Sequence, residues 1–424
     1  MFLAVLLGSL LTGAVVVLPQ TGSATGLLDL RIYVGAAGSL RDGRSIYEFT
    51  ETAYGLGSTY PPVWSLLVLP FTALDIHLVE LGWTMGNAAL WFAALWIAAT
   101  PLARPIGDAF GHPDDDRGTD GSDHAGAPVD RRSPRNPWLV VLIWALSIVG
   151  APMWNTLNQG QLNIVIWLLL VIDVRRFLEQ DRRAGILVGV AAALKLHPAI
   201  AALLILLTGA WRSTLRAAVA FVATTAVAAI VLWDDSWRYW TERIFDTSHI
   251  GSVADAQNNS IQAVLARTAP DGTWRTAAWV ALDLVVLALG IHGFRLAARR
   301  RCLVSALVVV GLTTALLLPI SWTHHLVFLS LPLLLVAASR LSLRAKLVTI
   351  AVVSVVLLDP VGFGRLALTS DVRVAVMLVL LVLAPLLVRF EDREGAAQGG
   401  RSGGGASPPS SEVTPGAGSA RPLS

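Results

Sequence analysis

Residues 295–325 read RLAARRRCLVSALVVVGLTTALLLPISWTHH. Four arginines precede the apolar run 302–319, and a polar segment with two adjacent histidines follows it. The run approaches the length that crosses about 30 Å of hydrocarbon, and clustered arginines are typical of the cytoplasmic side of a membrane. The stretch therefore predicts a membrane-spanning helix that leads from a cytoplasmic connection to an outward-facing one.

The whole chain has the composition of a membrane protein. Of its 424 residues, 54% are hydrophobic and 14% are charged, and the mean hydropathy is +0.63, whereas soluble domains carry about 25% charged residues. We predict an all-α fold, a polytopic transmembrane helical bundle of about 10–13 membrane helices, some of them short or re-entrant. The predicted spans are 2–19, 81–100, 137–152, 161–173, 213–232, 276–296, 302–319, 325–339, 346–358 and 372–388.

Basic residues predict the orientation of the bundle. Lys and Arg concentrate in the cytoplasmic connections of membrane proteins, and arginines cluster in alternate connections of this chain. We expect these connections to be cytoplasmic: 101–136, 174–183, 211–216, 295–301 and 339–346. The connections expected to face outward are 20–61, 153–160, 233–275, 319–324 and 359–371. The pattern predicts a multi-pass protein of the plasma membrane.

Two apolar segments do not fit as ordinary spans. Segment 62–74 is short, and the parity of the connections leaves no crossing for it, so we expect a re-entrant or interfacial helix. Segment 184–210 has arginines on both sides but is too short for two full crossings. Because Pro198 disfavours helical geometry at the residue before it, the segment is either a hairpin of two short helices or one long helix with a kink.

Two further stretches are predicted to be disordered and cytoplasmic. Residues 108–136 are rich in Asp, Gly, Arg and Pro, and residues 391–424 are rich in Gly, Ser and Pro. Neither composition can bury enough apolar surface to fold. The predicted organisation is thus one transmembrane domain, 1–390, followed by a tail.

Polar side chains that suit a ligand lie in the outward connections. Asp29 is the first charge in the chain, and its simplest role is to cap a helix at the membrane boundary. Amides that donate and accept hydrogen bonds suit a polyhydroxylated ligand, and they also suit helix capping and interhelical bonding. The candidates for such contacts are Arg31, Tyr33, Tyr60, Asn158, Gln161, Asn163 and Asn258.

Basic candidates lie deeper in the chain. Lys195 lies within an apolar stretch, where ionisable residues face a cavity and are functional by default; the alternative is snorkelling to the interface. An ammonium group suits an anion such as a phosphate. His197, His324 and His325 could bind a phosphate or act as acid or base, and of the adjacent pair we expect one ring to face the site and the other to pack.

No metal site is predicted. Asp234 and Asp235 are paired carboxylates, but no further carboxylate cluster or histidine spacing completes a set of ligands.

These motifs, in this order, resemble the actinobacterial polyprenyl-phosphate-mannose-dependent α-1,2-mannosyltransferases, polytopic membrane glycosyltransferases of the GT-C type. The matching stretches are Asp29–Tyr33, Gly43–Tyr47, Tyr60–Pro62, Asn158–Asn163, Lys195–Pro198, Gln257–Ser260 with Arg267, and Ser321–His325. The resemblance covers about residues 1–390. The Gln-Asn-Asn-Ser sequence at 257–260 departs from the expected Asn-Gln-Ser pattern.

The resemblance implies a GT-C bundle with its active site at the outer face. Mannose would pass, with inversion, from a polyprenyl-phosphate-mannose donor to a glycolipid or lipoglycan acceptor, with membrane lipids around the protein and neither cofactor nor nucleic acid. Asp29 would be the general base. Lys195, His197 and His324 or His325 would bind the donor phosphate, and the amide and aromatic candidates above would bind sugar. The alternatives are a GT-C transferase of another sugar, such as arabinose or glucose, and a lipid-linked sugar transporter.

Overall fold

A computed structural model describes residues 1–20, 26–100, 102, 137–245, 251–339, 341–358 and 367–389. The segments predicted to be disordered, 108–136 and 391–424, lie outside these residues. The described part of the chain is helical and contains no β-strand, only isolated bridges such as the one between Asn258 and Trp322.

The α-helices follow the predicted spans closely. They are α1 (Phe2–Val17), α2 (Leu28–Arg41), α3 (Pro62–Val68), α4 (Ile76–Ala99), α5 (Pro137–Val149), α6 (Ala151–Gln159), α7 (Asn163–Leu178), α8 (Ile186–Leu194), α9 (Ala199–Leu207), α10 (Trp211–Val231), α11 (Trp233–Arg238), α12 (Ile261–Thr268), α13 (Thr273–Arg300), α14 (Leu303–Leu317), α15 (Pro332–Ala338), α16 (Leu343–Leu358) and α17 (Ala367–Val382). Short 3₁₀ helices occupy Leu18–Gln20, Leu69–Ala73 and Thr323–Ser330, and one π-helical turn occupies Tyr239–Arg243.

Several of these helices have the length and composition of membrane spans. Among the described residues, α4, α10 and α13 are long and apolar enough to cross a bilayer, and α5 with α6 forms a pair bent by 64°. The apolar run quoted first becomes α14, which is buried from Leu303 to Leu316. A helix that is apolar on all sides is stable when other helices surround it, and α14 lies at the centre of the bundle.

The segment predicted to be re-entrant or interfacial does not cross the bundle. Helix α1 packs antiparallel to α4, with Gly13 against Leu81 and Met85, so the chain between them leaves and returns at the same end. Within it, α3 and the 3₁₀ helix after it lie alongside α2. Arg41 Nη1 donates to the Thr72 carbonyl oxygen at 3.0 Å.

Residues 184–210 form a hairpin, which decides between the two predicted alternatives. Helices α8 and α9 are separated by residues 195–198. Gly185, before α8, lies against the Ser213 backbone, and Leu207, at the end of α9, accepts a hydrogen bond from Arg295 at 2.6 Å. Both ends of the hairpin therefore lie at the arginine-rich end, and its turn lies at the other.

Two predicted boundaries differ from the structure. The outward connection 153–160 is largely helix α6, because Gly150 adopts an extended conformation and Pro152 begins a new helix after it. The predicted span 325–339 is a 3₁₀ helix followed by α15. It is broken at Leu326, whose backbone is non-helical, and restarted at Pro332, where proline is compatible with a first turn.

Candidate active site

A cavity of about 470 Å³ opens at the end of the bundle opposite the arginine clusters, within the range of about 300–1,000 Å³ typical of ligand pockets. Its walls come from α2, residues 56–61, the end of α6, the hairpin turn and residues 318–325. Residues from four of the five connections predicted to face outward thus converge on one space. Their convergence depends on the two broken elements, the 195–198 turn and the bend before α6.

Gln161 lies at the centre of the polar groups in this cavity. Its Nε2 donates to Asp29 Oδ2 at 2.6 Å. Its Oε1 accepts from Tyr60 Oη at 2.8 Å and Tyr33 Oη at 3.2 Å, with Lys195 Nζ at 3.4 Å. Because these donors converge on the oxygen, the amide nitrogen must face Asp29. Gln161 therefore connects the carboxylate to the ammonium group.

Lys195 is held by side chains at the turn of the hairpin. Its Nζ lies 3.1 Å from Tyr60 Oη, 3.0 Å from Asn163 Oδ1 and 3.3 Å from His325 Nε2. Among the described residues no carboxylate lies within ion-pair distance of it. An ammonium group surrounded by neutral groups beside an open cavity is suited to bind an anion.

Asp29 lies in the first turn of α2, outside the membrane-spanning helices. Leu27 is the N-cap residue and has a left-handed backbone, so the carboxylate does not cap the helix and bonds instead to Gln161. Burial raises the pKa of Asp29 to about 6, against the opposing effects of the Gln161 hydrogen bond and the Lys195 charge. A carboxylate with this pKa is ionised at neutral pH and is a stronger base than a solvated aspartate.

Both adjacent histidines line the cavity, contrary to the expectation that one would pack away from it. Successive side chains of a 3₁₀ helix diverge by about 120°, and the cavity wraps around this turn. His324 Nδ1 lies 3.0 Å from Asn155 Oδ1, whereas His325 lies beside Lys195 and stands 5.7 Å, centroid to centroid, from the His197 ring. Lys195, His197 and His325 thus form one face of the cavity.

Four of the seven predicted sugar contacts are not part of the cavity lining: Arg31, Asn158, Asn163 and Asn258. Of these, Asn163 bonds to Lys195 Nζ and to the His324 carbonyl oxygen. Arg31 Nε forms an ion pair with the buried carboxylate of Glu80 at 2.6 Å, which ties α2 to α4. Asn158 Nδ2 donates to the Trp154 carbonyl oxygen at 3.1 Å along α6. Neither side chain is part of the cavity lining.

Asn258 also lies behind the wall rather than in it. It is fully buried, and its Nδ2 donates to the carbonyl oxygens of Val253 and Pro319 at 2.9 and 3.1 Å. Its Oδ1 accepts from the Ser260 and Ser321 backbone nitrogens. The side chain joins two loops and has no hydrogen-bonding capacity left for a sugar.

Other polar and aromatic residues line the cavity although sequence reasoning did not select them. They are Asn155, Gln159, Tyr239, Asp255, Gln257 and Trp322. All but Asp255 belong to polar or aromatic stretches that stand out in the sequence. The available signal was the stretch as a whole, which does not tell which of its side chains face the cavity.

The paired aspartates have a structural partner. Asp235 accepts hydrogen bonds from the Ser45 hydroxyl and, at 3.3 Å, from the Ile46 backbone nitrogen, which links the first outward connection to α11. Within the described ranges, no group of three or more His, Cys, Asp or Glu side chains could hold a metal ion.

Comparison with known proteins identifies the family. Residues 59–319 match Glycosyltransferase family 87. The chain is 31% identical to a polyprenol-phosphate-mannose-dependent alpha-(1-2)-phosphatidylinositol mannoside mannosyltransferase of Mycobacterium tuberculosis, over 77% of this chain and 73% of that protein. A protein of Mycolicibacterium smegmatis with the same description is 30% identical over 73% and 69%.

A third relative carries a related description. It is a polyprenol-phosphate-mannose-dependent alpha-(1-2)-phosphatidylinositol pentamannoside mannosyltransferase of Mycolicibacterium smegmatis, 26% identical over 73% of this chain and 68% of that protein. The family match covers more than half of the chain, and the relatives align with most of it. The protein is a membrane-embedded enzyme that belongs to glycosyltransferase family 87.

Proposed function

We propose that the protein transfers mannose from polyprenyl-phosphate-mannose to a phosphatidylinositol mannoside or related glycolipid, with inversion and formation of an α-1,2 linkage. The observation that supports this most directly is the pairing, through Gln161, of a carboxylate with a pKa of about 6 and an ammonium group that has no carboxylate within ion-pair distance among the described residues. The names of the relatives supply the sugar, the donor and the acceptor class.

The two charges match the two demands of the reaction. The acceptor hydroxyl attacks the anomeric carbon and gives its proton to Asp29, while the bond from that carbon to the phosphate oxygen breaks. The electron pair leaves with polyprenyl phosphate, whose negative charge Lys195 stabilises with His197 and His325 beside it. A phosphate leaving group needs no proton, so one base and one cation suffice.

The cavity is proposed to face the periplasmic side. The arginine-rich connections lie at the opposite end of the bundle, and such connections remain cytoplasmic. A lipid-linked donor would bring its phosphate to the membrane boundary, where the hairpin turn places Lys195. The polyprenyl chain would remain among the lipids.

A transfer assay tests this proposal against its alternatives. Purified protein in vesicles is supplied with radiolabelled polyprenyl-phosphate-mannose and phosphatidylinositol mannoside, and the glycolipid product is isolated for linkage analysis. We expect a mannosylated product with a new α-1,2 bond. Movement of the labelled donor across the bilayer without product would instead indicate a transporter, and selective use of a lipid-linked arabinose or glucose would indicate another transferase.

We further propose that transfer requires no divalent metal ion. Asp235, one of the two adjacent aspartates of α11, is bonded to Ser45 and Ile46. Activity should therefore persist in excess EDTA, measured after the protein has been dialysed against the chelator. Loss of activity in EDTA with recovery on addition of Mg²⁺ or Mn²⁺ would contradict this.

A further inference from the structure

Two amide-rich segments border the cavity. In each, some side-chain amides form hydrogen bonds within the protein and another is open to the cavity. The first is Asn158–Asn163, at the end of α6 and the start of α7, and the second is residues 255–260, before α12. In both segments some amides are saturated with hydrogen bonds inside the protein. One glutamine in each segment is not.

The amides that are saturated with hydrogen bonds hold the walls of the cavity together. Asn163 bonds to Lys195 and to the His324 carbonyl oxygen, and Gln161 has the contacts described above. In the second segment, Asn258 and Asn259 bond to the segment 319–323 and are fully buried. None of these side chains can turn toward a ligand without breaking bonds that hold the cavity together.

Gln159 and Gln257 differ from them. Both line the cavity and are partly exposed to it, and neither side-chain amide has a hydrogen-bond partner within the described part of the chain. An amide donates and accepts at once, as does a sugar hydroxyl. Open amides on a cavity wall therefore provide the hydrogen bonds that a polyhydroxylated ligand needs.

The part of the cavity wall that carries Gln159 and Gln257 differs in charge from the face formed by Lys195, His197 and His325. Among the described residues, Lys195 is the only Lys or Arg in the cavity lining, so a phosphate is favoured on its side. Near Gln257, the exposed carboxylate of Asp255 also lines the cavity, and its Oδ1 accepts from the Gln257 backbone nitrogen at 2.7 Å. A carboxylate repels phosphate but accepts hydrogen bonds from hydroxyl groups.

An aromatic ring completes this wall. Trp322 lines the cavity, and Gly251 packs against the edge of its ring. Gly251 has a φ of +120°, and a Cβ there would lie 3.0 Å from the indole. The backbone at 251 thus supports the ring, and a tryptophan held in this way offers a face to the apolar side of a sugar.

We propose that Gln159, Asp255, Gln257 and Trp322 form a subsite for the polyhydroxylated headgroup of the acceptor, separate from the donor phosphate. This rests on the proposed function, because it assumes a glycolipid acceptor. The subsite binds sugar hydroxyls and excludes the acceptor's own phosphate. It presents the acceptor hydroxyl to Asp29 from the side opposite Lys195.

Binding can be tested without catalysis. Saturation-transfer NMR with methyl α-D-mannoside reports weak sugar binding to the purified protein in detergent micelles. We expect the signal to persist in Lys195→Met and to fall at least fivefold in the double variant Gln159→Ala/Gln257→Ala. An unchanged signal in the double variant overturns the subsite, and so does equal loss in Lys195→Met.

Kinetics provide the second test. The double variant loses two side chains that bond to the sugar, so it should raise KM for phosphatidylinositol mannoside about tenfold, with KM for the donor unchanged within twofold. Asn158→Ala is the matched control, since it removes the neighbouring amide on the outer side of α6, and its acceptor KM should stay within twofold of wild type. A tenfold rise in donor KM in the double variant, or an equal effect of Asn158→Ala, overturns the subsite.

Failure of the proposed function would look different. If the wild-type protein forms no product from polyprenyl-phosphate-mannose but binds methyl α-D-mannoside through these residues, the mannosyl donor is wrong and the sugar subsite stands. Thermal unfolding of each variant provides the check on folding. Because the side-chain amides of Gln159 and Gln257 have no hydrogen-bond partner among the described residues, their alanine variants should unfold within about 2 °C of wild type.

Discussion

The chain has two lysines, and the two ends of the helical bundle hold one each. Lys346 is buried at the arginine-rich end and donates to the Ala337 carbonyl oxygen at 2.8 Å, at the end of α15. Lys195 lies at the cavity end, where the partners of its ammonium group among the described residues are all side chains. The ammonium group of Lys346 is bonded to a backbone carbonyl group, whereas that of Lys195 faces a cavity large enough for a substrate.

The arginines at the same end as Lys346 follow its pattern. Arg175 donates to the Ile97 and Thr100 carbonyl oxygens at the end of α4, and Arg295 donates to Leu207 at the end of α9. Cations at helix C-termini satisfy unpaired carbonyls and complement the helix dipole. These positive charges stabilise the fold, whereas Lys195 at the cavity end is available for chemistry. The following predictions test that division.

The largest effect is expected for Asp29→Asn. An amide cannot accept the acceptor proton, and loss of a general base costs about 10²–10⁴-fold in rate. We expect kcat to fall by that factor, measured with labelled donor under saturating conditions. Asp42→Asn, at the other end of α2 and exposed beside Arg44, is the control and should remain near wild type. Transfer by Asp29→Asn within tenfold of wild type would remove Asp29 as the base.

Lys195→Met should have the next largest effect. Removing a cation that stabilises developing charge costs about 10²–10³-fold, and donor KM should also rise because the phosphate loses its partner. Lys346→Met is the matched control: it should lower the thermal unfolding temperature and leave both kinetic constants within twofold. If the two variants lose activity equally, the comparison between the two ends of the bundle fails.

A change in pH dependence is expected for Gln161→Met. The base must be ionised, so kcat/KM of the wild type should fall as the pH drops through the pKa of Asp29, about 6. The Gln161 hydrogen bond stabilises the carboxylate and lowers this pKa. Without it, the acidic limb of the pH profile should move to higher pH, so that activity is lost sooner on acidification. An unmoved limb would show that Gln161 does not act through Asp29.

The sequence predicted the division between the two ends but not the contacts that produce it. Helix spans and arginine clusters are local patterns, and from them the cavity end could be predicted, whereas the hairpin around Lys195 was one of two open alternatives. Broken helices such as α5–α6 were less visible, because Gly150 and Pro152 are compatible with either a loop or a bend.

Contacts between side chains that are far apart in the sequence could not be predicted from local sequence patterns. Arg31 was predicted to contact sugar, yet its partner Glu80 is 49 positions away and becomes adjacent only when α2 packs against α4. Asn258 and Gln257 are neighbours of similar chemistry, and the sequence does not tell which of them is saturated with hydrogen bonds. That distinction depends on the fold, because it is set by whether carbonyl groups of another loop lie within reach.

The smallest effect on catalysis is expected for Arg175→Gln. The variant loses charged hydrogen bonds to the α4 carbonyl groups, and bonds to charged groups contribute about 1.5–3 kcal/mol to stability. The unfolding temperature in detergent should therefore fall, while kcat/KM measured well below that temperature stays within twofold of wild type. Because Arg175 is far from the cavity, any larger loss of kcat/KM at a temperature where the variant is still fully folded would mean that charge at the arginine-rich end acts on the reaction. The separation of structural from catalytic cations would then be wrong.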